Sequence, residues 1–385
     1  MALKVKEQNI AVFGESGSGK TVLLSSFYGG TQEPAFVKES LYKVLPDKAE
    51  QGNRLLQNYL KMKKQAEAPA TSKFASTRYS FTVRPGGGDG AKANQFNALR
   101  LVWHDYPGQW FTEDPSSDEE TARRVETFTA LLKSDVAIVL IDGQKLLDYE
   151  GEEEKYLKSL FWGMRAELEK LKDEILTDGK PLAEFPRIWT LALSKADLHP
   201  ELDVQGFHDL IIEKAADDVA ALHETLQGFV QMPEVLSLGE DFMLLSSAKF
   251  EPGRIKVEER VGLDLILPVA TMLPLERVAQ WTKKLDIPLK ALGGLVDNAE
   301  AFAAVFTASA LVAAKFLAKV PKVGPALSKI AIPALVLLAE VSTEKFQEIY
   351  DQAMADKDYL TATLTQFRLD LEHGVKDKLL IKSPW

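Results

Sequence analysis

The chain has 385 residues, 46% of them hydrophobic, which is enough for a core larger than a single minimal α/β domain requires. A formal net charge of -10 argues against a nucleic-acid partner, since phosphate backbones are held by clustered lysine and arginine. The absence of cysteine excludes disulfides, cysteine-bound zinc and thiol catalysis, and the five histidines are scattered without metal-ligand spacing.

Residues 1–8 are charged and carry no apolar signal-peptide core, so a cytoplasmic chain is expected. Residues 9–13 are a short apolar run ending at glycine, read as a strand, and a helix starts at Thr21. Residues 48–65 predict a helix with Leu55, Leu56, Tyr59, Leu60 and Met62 loosely on one side. Two strands follow at 77–83 and 98–104. The stretch Gly86-Gly87-Gly88-Asp89-Gly90 between them is turn-forming, so the pair reads as a hairpin.

Residues 135–141 are a continuous apolar run after the leading Asp135, as in a buried parallel strand. Leu157, Leu160, Met164, Leu168, Leu171 and Ile175 recur at helical spacing and predict one long helix over 152–176. A strand at 187–193, a helix at 207–226 and a last strand at 242–245 complete an alternation that predicts an α/β fold with a mainly parallel sheet flanked by helices. After 253 the character becomes all-α. An Ala-, Leu- and Val-rich region covers 285–341. A final amphipathic helix then carries Phe346, Ile349, Tyr350, Tyr359, Leu360, Leu364, Phe367 and Leu371.

Within 285–341, residues 301–314 and 330–339 are uncharged runs around a turn at Pro321, Gly324 and Pro325. Neither reaches the roughly 20 residues that span a bilayer. Three readings stay open: a pair of buried helices, a lysine-rimmed hairpin lying on or in a membrane surface, and an oligomer interface such as a homodimer.

The chemistry begins at Gly14-Glu15-Ser16-Gly17-Ser18-Gly19-Lys20-Thr21, which fits the Walker A pattern between an apolar strand and a helix. Its glycines let backbone N–H groups wrap a phosphate, and the following helix aims its positive end at the same place. Lys20 is placed to reach the β and γ phosphates, and the Thr21 hydroxyl to bind Mg²⁺. Asp105 ends the strand before Tyr106-Pro107-Gly108-Gln109, where a carboxylate can serve the same Mg²⁺. Other Asp-x-x-Gly stretches, at 148–151 and 203–206, lack a preceding strand. Gly108 leaves its N–H free for a γ-phosphate, and Gln109 is suited to orient an attacking water. His104 reads as a packing residue at the strand edge.

Ser194-Lys195-Ala196-Asp197 follows the strand ending at Leu193. A carboxylate there accepts from guanine N1–H and its exocyclic amine, a donor pair adenine lacks, while the Lys195 stem covers the base. Ser247-Ala248-Lys249 follows the next strand and offers backbone N–H groups to guanine O6.

These four motifs, in order and each at a strand end, resemble the Ras-like P-loop GTPases of the translation-factor-related class, and the lean core resembles bacterial members. The resemblance covers about 9–249. It implies GTP/GDP with Mg²⁺ as ligands, slow GTP hydrolysis as a molecular switch, and an effector or activating protein as partner, with Lys20, Thr21, Asp105, Gln109, Lys195, Asp197 and Ala248 in the roles above. Ser194 stands where the family has Asn or Thr, which weakens guanine preference. Pro107 stiffens the approach to Gly108. The family's first-switch Mg²⁺ ligand falls in a long gap, where Thr71, Ser72 and Thr77 are candidates and Thr71 or Ser72 is preferred. The division expected is a GTPase domain at 1–252, with an insertion around 31–75, and a helical region at 253–385. Alternative functions are a dynamin-like, membrane-anchored GTPase acting through the 285–341 hairpin, and an ATPase or non-hydrolysing scaffold.

Overall fold

The computed structural model of the chain describes residues 6–69, 77–86, 99–111, 113–285 and 342–383. Eight strands form one sheet: β1 (Lys6–Phe13), β2 (Tyr42–Pro46), β3 (Thr77–Pro85), β4 (Leu99–Asp105), β5 (Val136–Asp142), β6 (Ile188–Ser194), β7 (Ser237–Leu244) and β10 (Leu380–Ile381). Their spatial order is β10-β7-β6-β5-β1-β4-β3-β2. β4, β1, β5, β6 and β7 are mutually parallel, while β2, β3 and β10 pair antiparallel at the two sides. A small hairpin, β8 (Lys249–Glu251) with β9 (Arg254–Lys256), stands apart from the sheet.

Burial explains which strands went where. Every residue of β5 and β6 is buried, as central parallel strands covered on both faces must be. β3 instead alternates, with Tyr79, Phe81 and Val83 inward, as befits a strand near an edge. The two strands pair antiparallel as expected, Thr77 with Asp105 and Val83 with Leu99, while the expected turn beyond Gly86 lies outside the described residues.

Helices cover both faces. Ile10, Val12, Leu101, Trp103 and Ile138 share one core with Leu24 and Phe27 of α1 (Lys20–Thr31) and with Ile266, Val269 and Leu273 of α9 (Ile266–Leu285). Phe13, Val139 and Leu191 share the other with Leu157 and Leu160 of α6 (Glu153–Lys170) and Phe207 and Ile211 of α8 (Val204–Gln227). The described part of 253–385 therefore packs into the first core. It also supplies the edge strand β10 against β7. Asp241 of β7 holds Arg277 of α9 at 2.5 Å and accepts the Ser383 N–H at 3.0 Å, a fully buried tie between sheet, helix and C-terminal strand.

Several boundaries differ from the sequence expectation. The helix expected over 152–176 breaks at Leu171 into α6 and a short α7 (Lys172–Ile175). The last helix is two, α10 (Thr343–Ala355) and α11 (Tyr359–Lys376). Lys357 takes a left-handed φ of 57°, and the Asp358 carboxylate restarts the helix by accepting the Thr361 N–H at 3.2 Å. Unforeseen elements are α2 (Pro34–Glu39), β2, α4 (Asp118–Leu131), α5 (Gly143–Asp148), β8, β9 and β10. α4 was readable: Ser117 caps it by accepting the Glu120 N–H at 3.2 Å, from a Ser-x-x-Glu start. No helix of the described residues is long and apolar enough to cross a membrane. The apolar stretch at 286–341, on which the membrane and dimer readings turn, lies outside the described residues.

Candidate functional site

The site is built where β1, β4, β5 and β6 end. After Phe13 the chain turns through Gly14 to Gly19, with Gly17 at φ 86° and Gly19 at φ 89°. Side chains rarely adopt that left-handed backbone, so glycine is required at both places. α1 then starts at Lys20 with no side-chain cap and no acidic residue in its first turn. Its first N–H groups and positive dipole end are left for an anion.

Lys20 doubles back over this loop and donates to the carbonyls of Gly14 at 2.7 Å and Glu15 at 3.0 Å. Burial pulls its ammonium down to about 8, against the pull of the Asp105, Glu15 and Asp142 carboxylates. The Thr21 hydroxyl donates to Asp105 Oδ2 at 2.8 Å. Asp105 Oδ1 is buried without a partner, and burial pushes this carboxyl up. A hydroxyl beside a carboxylate with one unsatisfied oxygen is the hard-oxygen donor set that suits Mg²⁺, so the residues fit that ion.

The segment after Asp105 is pressed against the loop. Tyr106 accepts the Gly14 N–H through its hydroxyl at 2.9 Å, and its ring lies 5.0 Å from Lys20 Nζ. Gly108 touches the Glu15–Ser16 peptide so closely that a Cβ there would overlap it. Behind this segment, buried Arg124 of α4 donates to the carbonyls of Trp110 at 3.0 Å and Glu113 at 2.7 Å, and pairs with Glu120 at 2.8 Å.

At the other end, Asp197 receives the Ser246 hydroxyl on Oδ1 at 2.6 Å, while Oδ2 accepts no hydrogen bond from the described residues. Ser246 Oγ is also 2.9 Å from the Ala248 carbonyl, so it links the segments that follow β6 and β7. Lys195, itself left-handed at φ 55°, places its ammonium 2.7 Å from Asp142.

One cavity of about 390 Å³ brings most of the sequence-selected residues together. Ser16, Gly17, Ser18, Gly19, Lys20, Thr21, Gly108, Lys195, Asp197, Ser247 and Ala248 all line it. Gly14 lies behind the loop, and the Glu15 side chain turns to Lys145 of α5 at 2.5 Å. Gln109 sits in a short 3-10 turn (Gly108–Phe111), outside the lining. Lys249 does not reach the cavity. It is exposed on β8 and faces Glu251 at 3.9 Å and Glu259 at 3.7 Å, because strand alternation turns it away from the side its neighbour Phe250 lines. Thr71 and Ser72 lie outside the described residues, while Thr77 opens β3 opposite Asp105. Sequence reading missed Tyr106, Ser246 and Phe250. The doubled serine before Ala248 was a signal, but only the fold tells which serine meets Asp197.

His104 is the buried neighbour of this site. Burial, then the Arg78 charge, lowers its pKa from the ordinary 6.5 to about 4. The folded chain thus holds it neutral where the unfolded chain is protonated. Its contribution is fully present above about pH 6.5 and is lost as pH falls towards 4, an order of about 3 kcal/mol in all. Urea unfolding at pH 7 and pH 4.5 should show a smaller loss for His104→Gln than for the wild type. Equal losses would remove His104 as the cause.

Among curated proteins nothing matches the chain. Among solved structures it is similar to the signal recognition particle receptor SRb-GTP/SRX complex from Chaetomium thermophilum, at 17% identity over 65% of this chain and 95% of that one, with a TM-score of 0.34. It is similar also to the S. cerevisiae Ski7 GTPase-like domain bound to GTP, at 14% identity over 64% of this chain and 44% of that one, with a TM-score of 0.30. The family model described as Double-GTPase 2 matches residues 8–231. That match takes in more than half of the chain, including the phosphate loop, Asp105 and Asp197, so the chain belongs to the Double-GTPase 2 family and is a P-loop protein that binds guanine nucleotide.

Proposed function

We propose that this chain is a Mg²⁺-dependent molecular switch that binds GTP, hydrolyses it slowly and changes its affinity for a partner protein as it does so. The observation that carries the reading is a single cavity with Lys20 and Thr21 at one end and Asp197 at the other. The unused Oδ2 of Asp197 suits the two donors on the guanine edge, with Ser246 holding the other oxygen. Ser194, in place of Asn or Thr, spends its hydroxyl on the Ile141 carbonyl at 3.1 Å.

Thr21 and Asp105 would hold Mg²⁺, with Thr71 as the first-switch candidate. Bound there, the ion supplies charge neutralisation at the β and γ phosphates. The residues then act as follows. The cavity orients the triphosphate in line with a water that Gln109 positions. The water oxygen bonds to the γ-phosphorus as the bond to the β–γ bridging oxygen breaks, giving GDP and phosphate. Lys20 holds the charge that moves onto that bridging oxygen. Among the described residues no arginine lines the cavity, which accounts for a slow rate until an activating protein, or a second copy of the chain, brings one. On this reading 1–252 is the switch proper and 253–385 its extension, whose described part packs on the sheet. The class is the translation-factor-related one.

Calorimetric titration of nucleotide-free protein with GDP and with ADP, in Mg²⁺, tests the reading. The wild type should prefer GDP, and Asp197→Asn should weaken GDP by about 10²-fold by losing two charge-assisted hydrogen bonds. Equal affinities, or tighter ADP, would make Asp197 a turn residue and the chain an ATPase.

A further inference from the structure

The cavity has an aromatic wall that no motif accounts for. Phe250 lines it and is 44% exposed, although Ile255, the other large apolar residue of its hairpin, is buried. A large apolar side chain left open to solvent inside a cleft is a surface awaiting a ligand rather than a packing residue.

The way the hairpin is mounted fixes where Phe250 points. In the β8–β9 register Phe250 lies directly opposite Ile255, and directly paired residues share one face of the ribbon. Ile255 is 6% exposed and seated in a small core with Val257, Ala248, and Tyr59 and Met62 of α3 (Ala49–Gln65). That anchor holds the shared face against the body of the protein and leaves Phe250, on the same face, lining the cavity and partly exposed. Lys249 and Glu251 fall on the other face with their ion-pair partners. Ala248, two residues before Phe250, belongs to the same small core and also lines the cavity beside Asp197. Ala68 and Pro69, just beyond the end of α3, line the same cavity. The inserted helix α3 therefore supports the loop holding Ala248, the hairpin holding Phe250, and the chain that leads to Ala68.

We infer that Phe250 is a base-stacking residue: its ring packs on the purine face of the nucleotide whose edge Asp197 reads. This rests on the reading of the cavity as a nucleotide site and deepens it. Stacking is blind to which purine is present, since every base has a π-face, so Phe250 contributes affinity and Asp197 contributes choice.

The two roles separate in one experiment. Binding of GDP, ADP and inorganic pyrophosphate is measured for the wild type, Phe250→Ala, Phe250→Trp and Asp197→Asn, all in Mg²⁺. Phe250→Ala should weaken whichever purine nucleotide binds by about tenfold or more and leave pyrophosphate unchanged. Phe250→Trp should retain affinity, and the emission difference between it and the wild type should change with nucleotide but not with pyrophosphate. Asp197→Asn should alter only the balance between GDP and ADP. If the wild type favours ADP, the guanine reading fails while the loss in Phe250→Ala still supports stacking. Unchanged nucleotide affinity in Phe250→Ala overturns the inference. So does an equal loss for nucleotide and pyrophosphate, which would show that the residue acts on the fold.

Discussion

Replacing Lys20 with methionine is expected to slow single-turnover GTP hydrolysis by about 10²–10³-fold while leaving the nucleotide-free protein at least as stable as the wild type. The two effects have one origin. Lys20 is 6% exposed, its ammonium is held by two backbone carbonyls, and burial drops its pKa from the ordinary 10.5 to about 8. A lysine whose folded pKa lies below its unfolded one costs stability below that folded value, and the cost disappears as pH rises from 8 to 10.5. At neutral pH the cost is on the order of 3 kcal/mol. Methionine fills nearly the same volume without a charge, so it removes that cost and offsets the two lost hydrogen bonds. On the proposed function, an arriving polyphosphate gives this buried ammonium an ionic partner. Thermal melting of nucleotide-free protein and rapid-quench hydrolysis check both halves. A variant that melts far below the wild type would mean that Lys20 holds the loop together, and an unchanged rate would take it out of the chemistry.

Gly108→Ala is expected to lower hydrolysis by at least about 10²-fold, because it displaces the phosphate loop. An added Cβ would lie 2.5 Å from the Glu15 carbonyl oxygen and closer still to the carbonyl carbon and to Ser16 N. Neither peptide can yield cheaply. The Gly14 N–H is held by Tyr106, and the Glu15 side chain by Lys145. The segment carrying Gly108 is held in turn by Arg124 through the Trp110 and Glu113 carbonyls. Overpacking of this kind costs about 1–3 kcal/mol. Here it falls on the two backbones that must close around phosphate. GDP affinity should fall together with the rate, since the loop moves for both nucleotides. A variant with wild-type rate would show that Gly108 and the loop separate before the reaction.

The phosphate loop was legible because its chemistry is local. Gly17 and Gly19 need left-handed backbone, Lys20 and Thr21 open the helix, and these demands lie within eight consecutive residues. The central strands were legible for a similar reason, since burial on both faces leaves mostly apolar runs at Val136–Asp142 and Ile188–Ser194, interrupted within only at Thr190. Short edge strands carried no such imprint. β2 and β10 exist because a neighbouring strand offers free backbone groups, and two residues such as Leu380 and Ile381 cannot announce that.

The sequence by itself determined the ligand class and the order of the candidate site segments: residues 14–21, then Asp105, then Asp197, each at a strand end. Only the tertiary structure decided which side chains serve them. Glu15 meets Lys145 across 130 residues, Tyr106 meets the Gly14 N–H across 92, and Ser246 meets Asp197 across 49. The outward Lys249 and the inward Phe250 likewise depend on Ile255 finding α3. Local backbone demands write themselves into neighbouring residues, whereas the partner of a side chain is set by how distant elements stack, and no pattern of adjacent residues records it.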